Sequence, residues 1–235
     1  MKIDVLSLFP EMYDGILNSS IIKRAIAKKL VIINVHNFRD YSLSPHKKVD
    51  DYPFGGGEGM VLMPQPIFDA VDAIKTPDSY IILMTPKGVP YKQSIAYDLS
   101  LKKHIIIICG HYEGFDERIR SLADLEVSIG DYILTGGEIP SMVLIDSITR
   151  LVDGVIEKES HEKESFNNNL LDYPVYTKPV NFRGMEVPSV LLSGHHKNIE
   201  NYRYEKQLEM TKTRRPDLLE KRQWHEKTIF CFKRK

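Results

Sequence analysis

The sequence predicts an α/β domain built on a largely parallel sheet, followed by a smaller, mainly helical domain. Three observations carry this. Over the first 150 residues, β-branched runs alternate with amphipathic stretches. Two apolar runs end in glycine-bearing loops, His104–Gly114 (HIIIICGHYEG) and Ser128–Pro140 (SIGDYILTGGEIP). A charged, asparagine-rich stretch then separates this region from a basic C-terminal part.

Strands are expected over Lys2–Phe9, Val31–Phe38, Ser79–Met84, His104–Cys109 and Glu126–Leu134, each a run bounded by polar residues, Pro or Gly. Ser19–Lys29 places Ile22, Ala25 and Ile26 on one helical face. Pro66–Lys75 places Ile67, Ala70, Val71 and Ile74 at helical spacing, with Pro66 suited to a first turn. Glu138–Leu151 is a third helix, entered directly from Gly136–Gly137. Gly154–Asn169 lacks apolar periodicity and reads as a mobile linker that orders on binding. Residues 170–188 are rich in Pro and Tyr and read as extended, and Asn198–Thr213 and Pro216–Lys227 read as helices. The domain boundaries drawn are 1–155, a linker over 156–169, and 170–235.

At 42% hydrophobic and 27% charged, the 235 residues fit a globular protein without a membrane span. Asp4 and Pro10 interrupt any apolar signal segment, and the two cysteines, Cys109 and Cys231, read as reduced thiols in a cytoplasmic protein. No spacing of His and Cys points to zinc or another bound metal. Net charge is zero, but residues 196–235 hold 12 Lys and Arg against 6 Asp and Glu. That segment is either a solvated helical face or a surface for a polyanion.

Glycines at the carboxyl ends of strands let a ligand approach the backbone, and that end of an α/β sheet is where small molecules bind. The loops after His104–Cys109 and around Ser128 are therefore expected to share one pocket, joined by Met84–Gly88 (MTPKG) as a third strand-end turn. Gly55–Gly59 (GGGEG) is neither a nucleotide P-loop nor a dinucleotide fingerprint, since no Gly-Lys-Ser/Thr follows it and Asp50–Phe54 is not expected to be a strand. It is a tight loop or a ligand contact, and the nearby His46, Lys47, Lys48, Asp50 and Asp51 favour contact. Arg150 is either a favourable charge at a helix C-terminus or a functional group.

Six segments in this order and spacing resemble the bacterial tRNA (guanine-N1)-methyltransferase family of TrmD type, within the SPOUT superfamily. They are VDDYPFGGGEGM, ICGHYEGFDERI, SIGDYILTGGEIPSMVLIDSITR, LLDYPVYTKP, VPSVLLSGHH and TRRPDLLE, and the likeness runs from Lys2 to about Glu220. The resemblance implies a deep trefoil knot in the α/β domain, a homodimer with a shared active site, and S-adenosyl-L-methionine bound in the knot. It assigns the cofactor to Met84, Thr85 and Pro86, to Gly110, Tyr112 and Glu113, to Ile129, Gly130, Asp131, Tyr132, Ile133 and Leu134, and to Gly136, Gly137 and Pro140. Arg150 stands at the family's essential arginine. The usual general base is an aspartate before a Ser-Phe pair. Here Glu164 precedes Ser165–Phe166, so the carboxylate is kept on a side chain one methylene longer. His46, Asp50, Gly59, Ser165, Arg214 and Arg215 are assigned to the tRNA anticodon stem-loop. The implied activity is methylation of N1 of the guanosine at tRNA position 37, with a magnesium dependence that needs no fixed protein-bound metal. The alternatives are a non-catalytic RNA- or nucleotide-binding module on the same fold, and an enzyme gripping nucleotide phosphates through Gly55–Gly59.

Overall fold

The structure, a computed structural model, describes residues 1–157 and 165–219. The chain divides into two compact units between Glu157 and Lys158.

In the first unit, five parallel strands form one sheet. They are β1 (Lys2–Ser7), β2 (Ile32–Asn37), β5 (Ser79–Pro90), β6 (His104–Cys109) and β7 (Leu125–Ser128), in the order β2-β1-β6-β5-β7. β6 lies mid-sheet and all six of its residues are buried, which explains its unbroken apolar run. Its isoleucines alternate between two cores. Ile105 and Ile107 pack with Tyr13, Ile22, Leu99, Leu144, Ile145 and Ile148. Ile106 and Ile108 pack with Phe38, Ile67, Ala70, Val71 and Ile119. The first core thus collects α1 (Asp14–Leu17), α2 (Ser20–Ala27), α4 (Gln93–Ser100) and α5 (Glu138–Thr149), and the second collects α3 (Pro64–Ile74). Because every strand is parallel, all carboxyl ends open on one edge.

Three expectations need correcting, and one helix is an addition. MTPKG is not a turn that ends a strand, because β5 continues to Pro90. Its pairing with Val127 shifts from Met84 to Val89, so the Pro-Gly stretch is a bulge inside the strand. Gly88 is required there, since a Cβ would strike the Val127 backbone. Conversely, the strand expected over Glu126–Leu134 stops at Ser128, whose Oγ accepts from Gly130 N–H at 3.3 Å and turns the chain out of the sheet. Asp50–Asp51, expected outside any strand, form β3, which pairs antiparallel with β4 (Val61–Leu62) and closes the glycine loop at its base. Finally, α4 carries no strong sequence signal and was not anticipated.

In the second unit, residues 170–180 are irregular, and β8 (Asn181–Phe182) and β9 (Met185–Glu186) make a small hairpin. α6 (Ser189–Leu192) and α7 (His196–Arg214) follow. Residues 216–219 continue as helix, and the rest of the expected Pro216–Lys227 helix lies outside the described residues, as does Cys231. Among the described residues, no helix is long and apolar enough to cross a membrane.

Candidate active site

The carboxyl edge of the sheet holds an open cavity of about 270 Å³, walled by three segments. They are the bulge of β5, the loop after β6, and the loop that leads from β7 into α5. Met84, Thr85, Pro86, Gly110, Tyr112, Glu113, Ile129, Gly130, Tyr132, Ile133, Leu134, Gly136, Gly137 and Pro140 all line it. Of the residues assigned to the cofactor, Asp131 alone does not line it and is exposed.

Backbone pairing holds the three segments together. Gly137 N–H donates to the Gly110 carbonyl at 2.7 Å, and His111 and Gly136 form an antiparallel bridge. Tyr91 N–H donates to Ser128 O at 2.8 Å. The β3–β4 hairpin joins from the side: Glu113 N–H donates to Met60 O, and Leu62 N–H to Gly114 O. Gly59 then lies against the Glu113 side chain, so the glycine loop is anchored to a cavity residue. Asp50 sits in β3, and His46 is exposed in the loop before it.

A buried polar network underlies the wall. Ser7 Oγ donates to Glu138 Oε1 at 2.8 Å, and Ser141 Oγ donates to the Glu138 carbonyl at 2.6 Å. The Tyr13 hydroxyl lies 2.6 Å from Ser141 Oγ and 3.3 Å from Cys109 Sγ. Burial pushes the Cys109 thiol up to about 12 and raises the Tyr13 phenol as well. Cys109 therefore stays a neutral thiol at physiological pH and offers no thiolate nucleophile.

His111 lies within the expected cavity loop after β6, where it had no individual assignment, and it lines the cavity. Its ring lies 5.0 Å from Phe9 and 4.6 Å from Tyr112, and its buried Nδ1 has no hydrogen-bond partner among the described residues. The only available signal was its place between Gly110 and Tyr112. A buried polar atom without a partner, in the wall of a cavity of this size, fits a polar ligand with an aromatic body. Tyr132 and Ile133 are exposed at its edge and supply apolar cover. S-adenosyl-L-methionine has that chemistry, and the residues present fit it.

Arg150 is placed apart from the cavity. It caps the far end of α5, about 20 Å along the helix axis from Gly137, which is beyond side-chain reach. Glu164 lies outside the described residues. In the second unit, Ser165 Oγ accepts from Asp172 N–H at 2.9 Å, and the Arg215 guanidinium lies 5.9 Å from the neighbouring Phe166 ring. Arg215 also donates twice to Asp217, at 2.8 Å each, while Arg214 is exposed. Among the described residues, no cluster of three His, Cys, Asp or Glu is placed to hold a metal ion.

Comparison with known proteins agrees over most of the chain. Residues 1–221 match the family described as tRNA (guanine-1)-methyltransferase TrmD. Proteins named tRNA (guanine-N(1)-)-methyltransferase are similar to it. That of Ureaplasma urealyticum is 59% identical over 222 residues, covering 94% of this chain and 97% of its own. That of Staphylococcus carnosus is 56% identical over 224 residues, covering 94% and 91%. That of Staphylococcus aureus is 53% identical over 224 residues, covering 94% and 91%. With that coverage, and with a ligand cavity at the carboxyl edge of its parallel sheet, the chain belongs to the tRNA (guanine-1)-methyltransferase family, TrmD.

Proposed function

We propose that this enzyme methylates N1 of the guanosine at tRNA position 37, beside the anticodon, with S-adenosyl-L-methionine as donor. The observation that carries the reading is the convergence of the three assigned segments on one cavity. When bound there, the cofactor supplies an activated methyl group. The protein's task is to hold the target base in line with that methyl, accept the N1 proton, and balance the negative charge that develops on guanine O6. Glu164 is assigned the proton and Arg150 the charge at O6. The cavity loops hold the cofactor, and His46, Asp50, Gly59 and Ser165 hold the RNA with the target base out of its stack.

Arg150 stands about 15 Å along α5 from Pro140, the nearest cavity residue on its own helix and beyond side-chain reach, which supports a homodimer whose subunits complete each other's sites. Met12, Ile139 and Val143 are 43%, 47% and 41% exposed, an apolar face for the second copy to cover. We assign the deep trefoil knot to the three cavity segments, and the Gly137–Gly110 and His111–Gly136 pairings support that assignment. In this reading the enzyme works in the cytoplasm, and magnesium acts without fixed protein ligands. A non-catalytic module is not favoured, because the relatives are named as methyltransferases along nearly the whole chain.

Calorimetric titration separates the readings. S-adenosyl-L-methionine should bind at one site per chain and ATP should not. Binding of ATP alone would point to the phosphate-gripping alternative.

A further inference from the structure

The second unit contains a cavity of its own, of about 430 Å³, lined by residues of the 173–180 segment, Val187, α6 and α7. Leu191 and Ile199 give it apolar walls. Tyr173 and Tyr176 also line it, and the Arg203 guanidinium lies 4.8 Å from the Tyr173 ring centroid. Arg203 Nε is buried and has no hydrogen-bond partner among the described residues. The charged residues of the lining are Lys178 and Arg203, two cations without a carboxylate.

Two cations and no carboxylate give the lining a net positive charge, so the site suits a group that carries hydrogen-bond acceptors. Two phenol rings and a planar cation form a surface for a flat, aromatic, acceptor-bearing group. An apolar protein segment would fill the walls but leave both cations unanswered. A nucleotide answers each feature: its base stacks on a tyrosine, its acceptor edge meets Arg203, and its phosphate meets Lys178. We propose that this cavity takes one unstacked nucleotide of the RNA substrate, other than the guanosine that is methylated. This rests on the reading of the protein as a tRNA methyltransferase. It adds a second base pocket on the second unit.

The test uses the full-length protein and an anticodon stem-loop RNA whose loop nucleotides are made abasic one at a time. At one loop position outside the target guanosine, loss of the base should weaken wild-type binding about tenfold or more. Arg203→Ala should weaken binding of the intact RNA by a similar factor and show no further loss at that position. Arg203→Lys keeps the charge but not the planar fork and should fall between the two. S-adenosyl-L-methionine affinity should be unchanged in both variants, which also reports that they fold. Losses that simply add at every loop position would overturn the assignment. So would an Arg203→Ala protein that binds RNA normally but sediments as a different oligomer, since a protein surface would then fill the cavity. The wild type tests the underlying reading separately: if it neither binds nor methylates the intact stem-loop, both proposals fail. If it does both while the losses add, only the second pocket fails.

Discussion

Gly137 and Gly110 meet backbone to backbone: the amide of one donates to the carbonyl of the other at 2.7 Å, across the seam between the loop after β6 and the start of α5. A Cβ on Gly137 would lie 2.7 Å from Gly110 N and 2.8 Å from Cys109 Cα. The glycine is there because two chain segments touch, whereas the sequence alone suggested close approach of a ligand. A larger side chain at this position therefore disturbs the packing of the two segments as well as the cavity wall. Gly137→Ala should abolish S-adenosyl-L-methionine binding and also lower stability by about 1–3 kcal/mol, as forced overpacking does. Thermal melts alongside calorimetry check this, and an unchanged melting temperature would contradict it.

A buried carboxylate within the sheet should set the acid limit of stability. Asp4 is fully buried, which by itself raises its pKa. Hydrogen bonds from His36, Lys2, Asn34 and His104 outweigh burial and hold it at about 2, against an ordinary 3.8. A carboxylate depressed in the folded state stabilises the fold above its unfolded pKa, and that stability is lost as pH falls through the folded value. Asp4 thus contributes about 2 kcal/mol at neutral pH, lost between roughly pH 4 and pH 2. Denaturant unfolding of wild type and Asp4→Asn across that range should show the variant less stable at pH 7 and the gap closing below pH 4. A constant gap would remove Asp4 from this role.

Arg150→Ala should slow methyl transfer by about 10²–10³ while leaving cofactor affinity unchanged, because the residue stands far from its own cavity. Leu134→Arg, which crowds the cavity mouth, should do the reverse. Mixing the two inactive proteins should restore activity if each subunit supplies what the other lacks. No recovery in confirmed mixed dimers would place both residues in one chain's site.

Salt dependence distinguishes the two C-terminal arginines. Both arginines are exposed, but Arg215 pairs with Asp217 and lies near Phe166. Arg214→Ala should reduce the slope of log affinity against log salt for tRNA by close to one unit, and Arg215→Ala by less. Equal effects would mean that the Asp217 pair opens on binding.

The sheet was legible where its signals were local. The apolar run of β6 and the amphipathic faces of α2 and α3 define those elements without help from elsewhere. Long-range partners decided the rest. Pro86 and Gly88 read as a turn, yet Val127 holds them as a bulge inside β5. Ile129–Leu134 looks like a strand by composition, yet Gly130 turns the segment away to line the cavity. The cavity itself was legible because glycines at strand ends mark it. The distance of Arg150 from it was not, because only the length of α5 reveals that separation. His111 falls inside the expected cavity loop, but a single histidine there carries no signal of its own until its unpartnered Nδ1 is seen.

The linker carboxylate is the remaining residue with an assigned chemical role. Glu164→Gln should bind tRNA nearly as wild type and transfer methyl much more slowly, whereas Glu164→Asp should stay active. Transfer by the Gln variant at the wild-type rate would move the base assignment to Asp172, whose Oδ1 already accepts from Tyr173 N–H at 2.7 Å.

The most direct test is methyl transfer from S-adenosyl-L-methionine to an unmodified tRNA transcript, with the product digested and the modified nucleoside placed by mass spectrometry. One methyl group should appear, on N1 of the guanosine at position 37, and a transcript with adenosine there should accept none. Methylation at another atom or position, or none in the presence of bound cofactor and bound tRNA, would contradict the account.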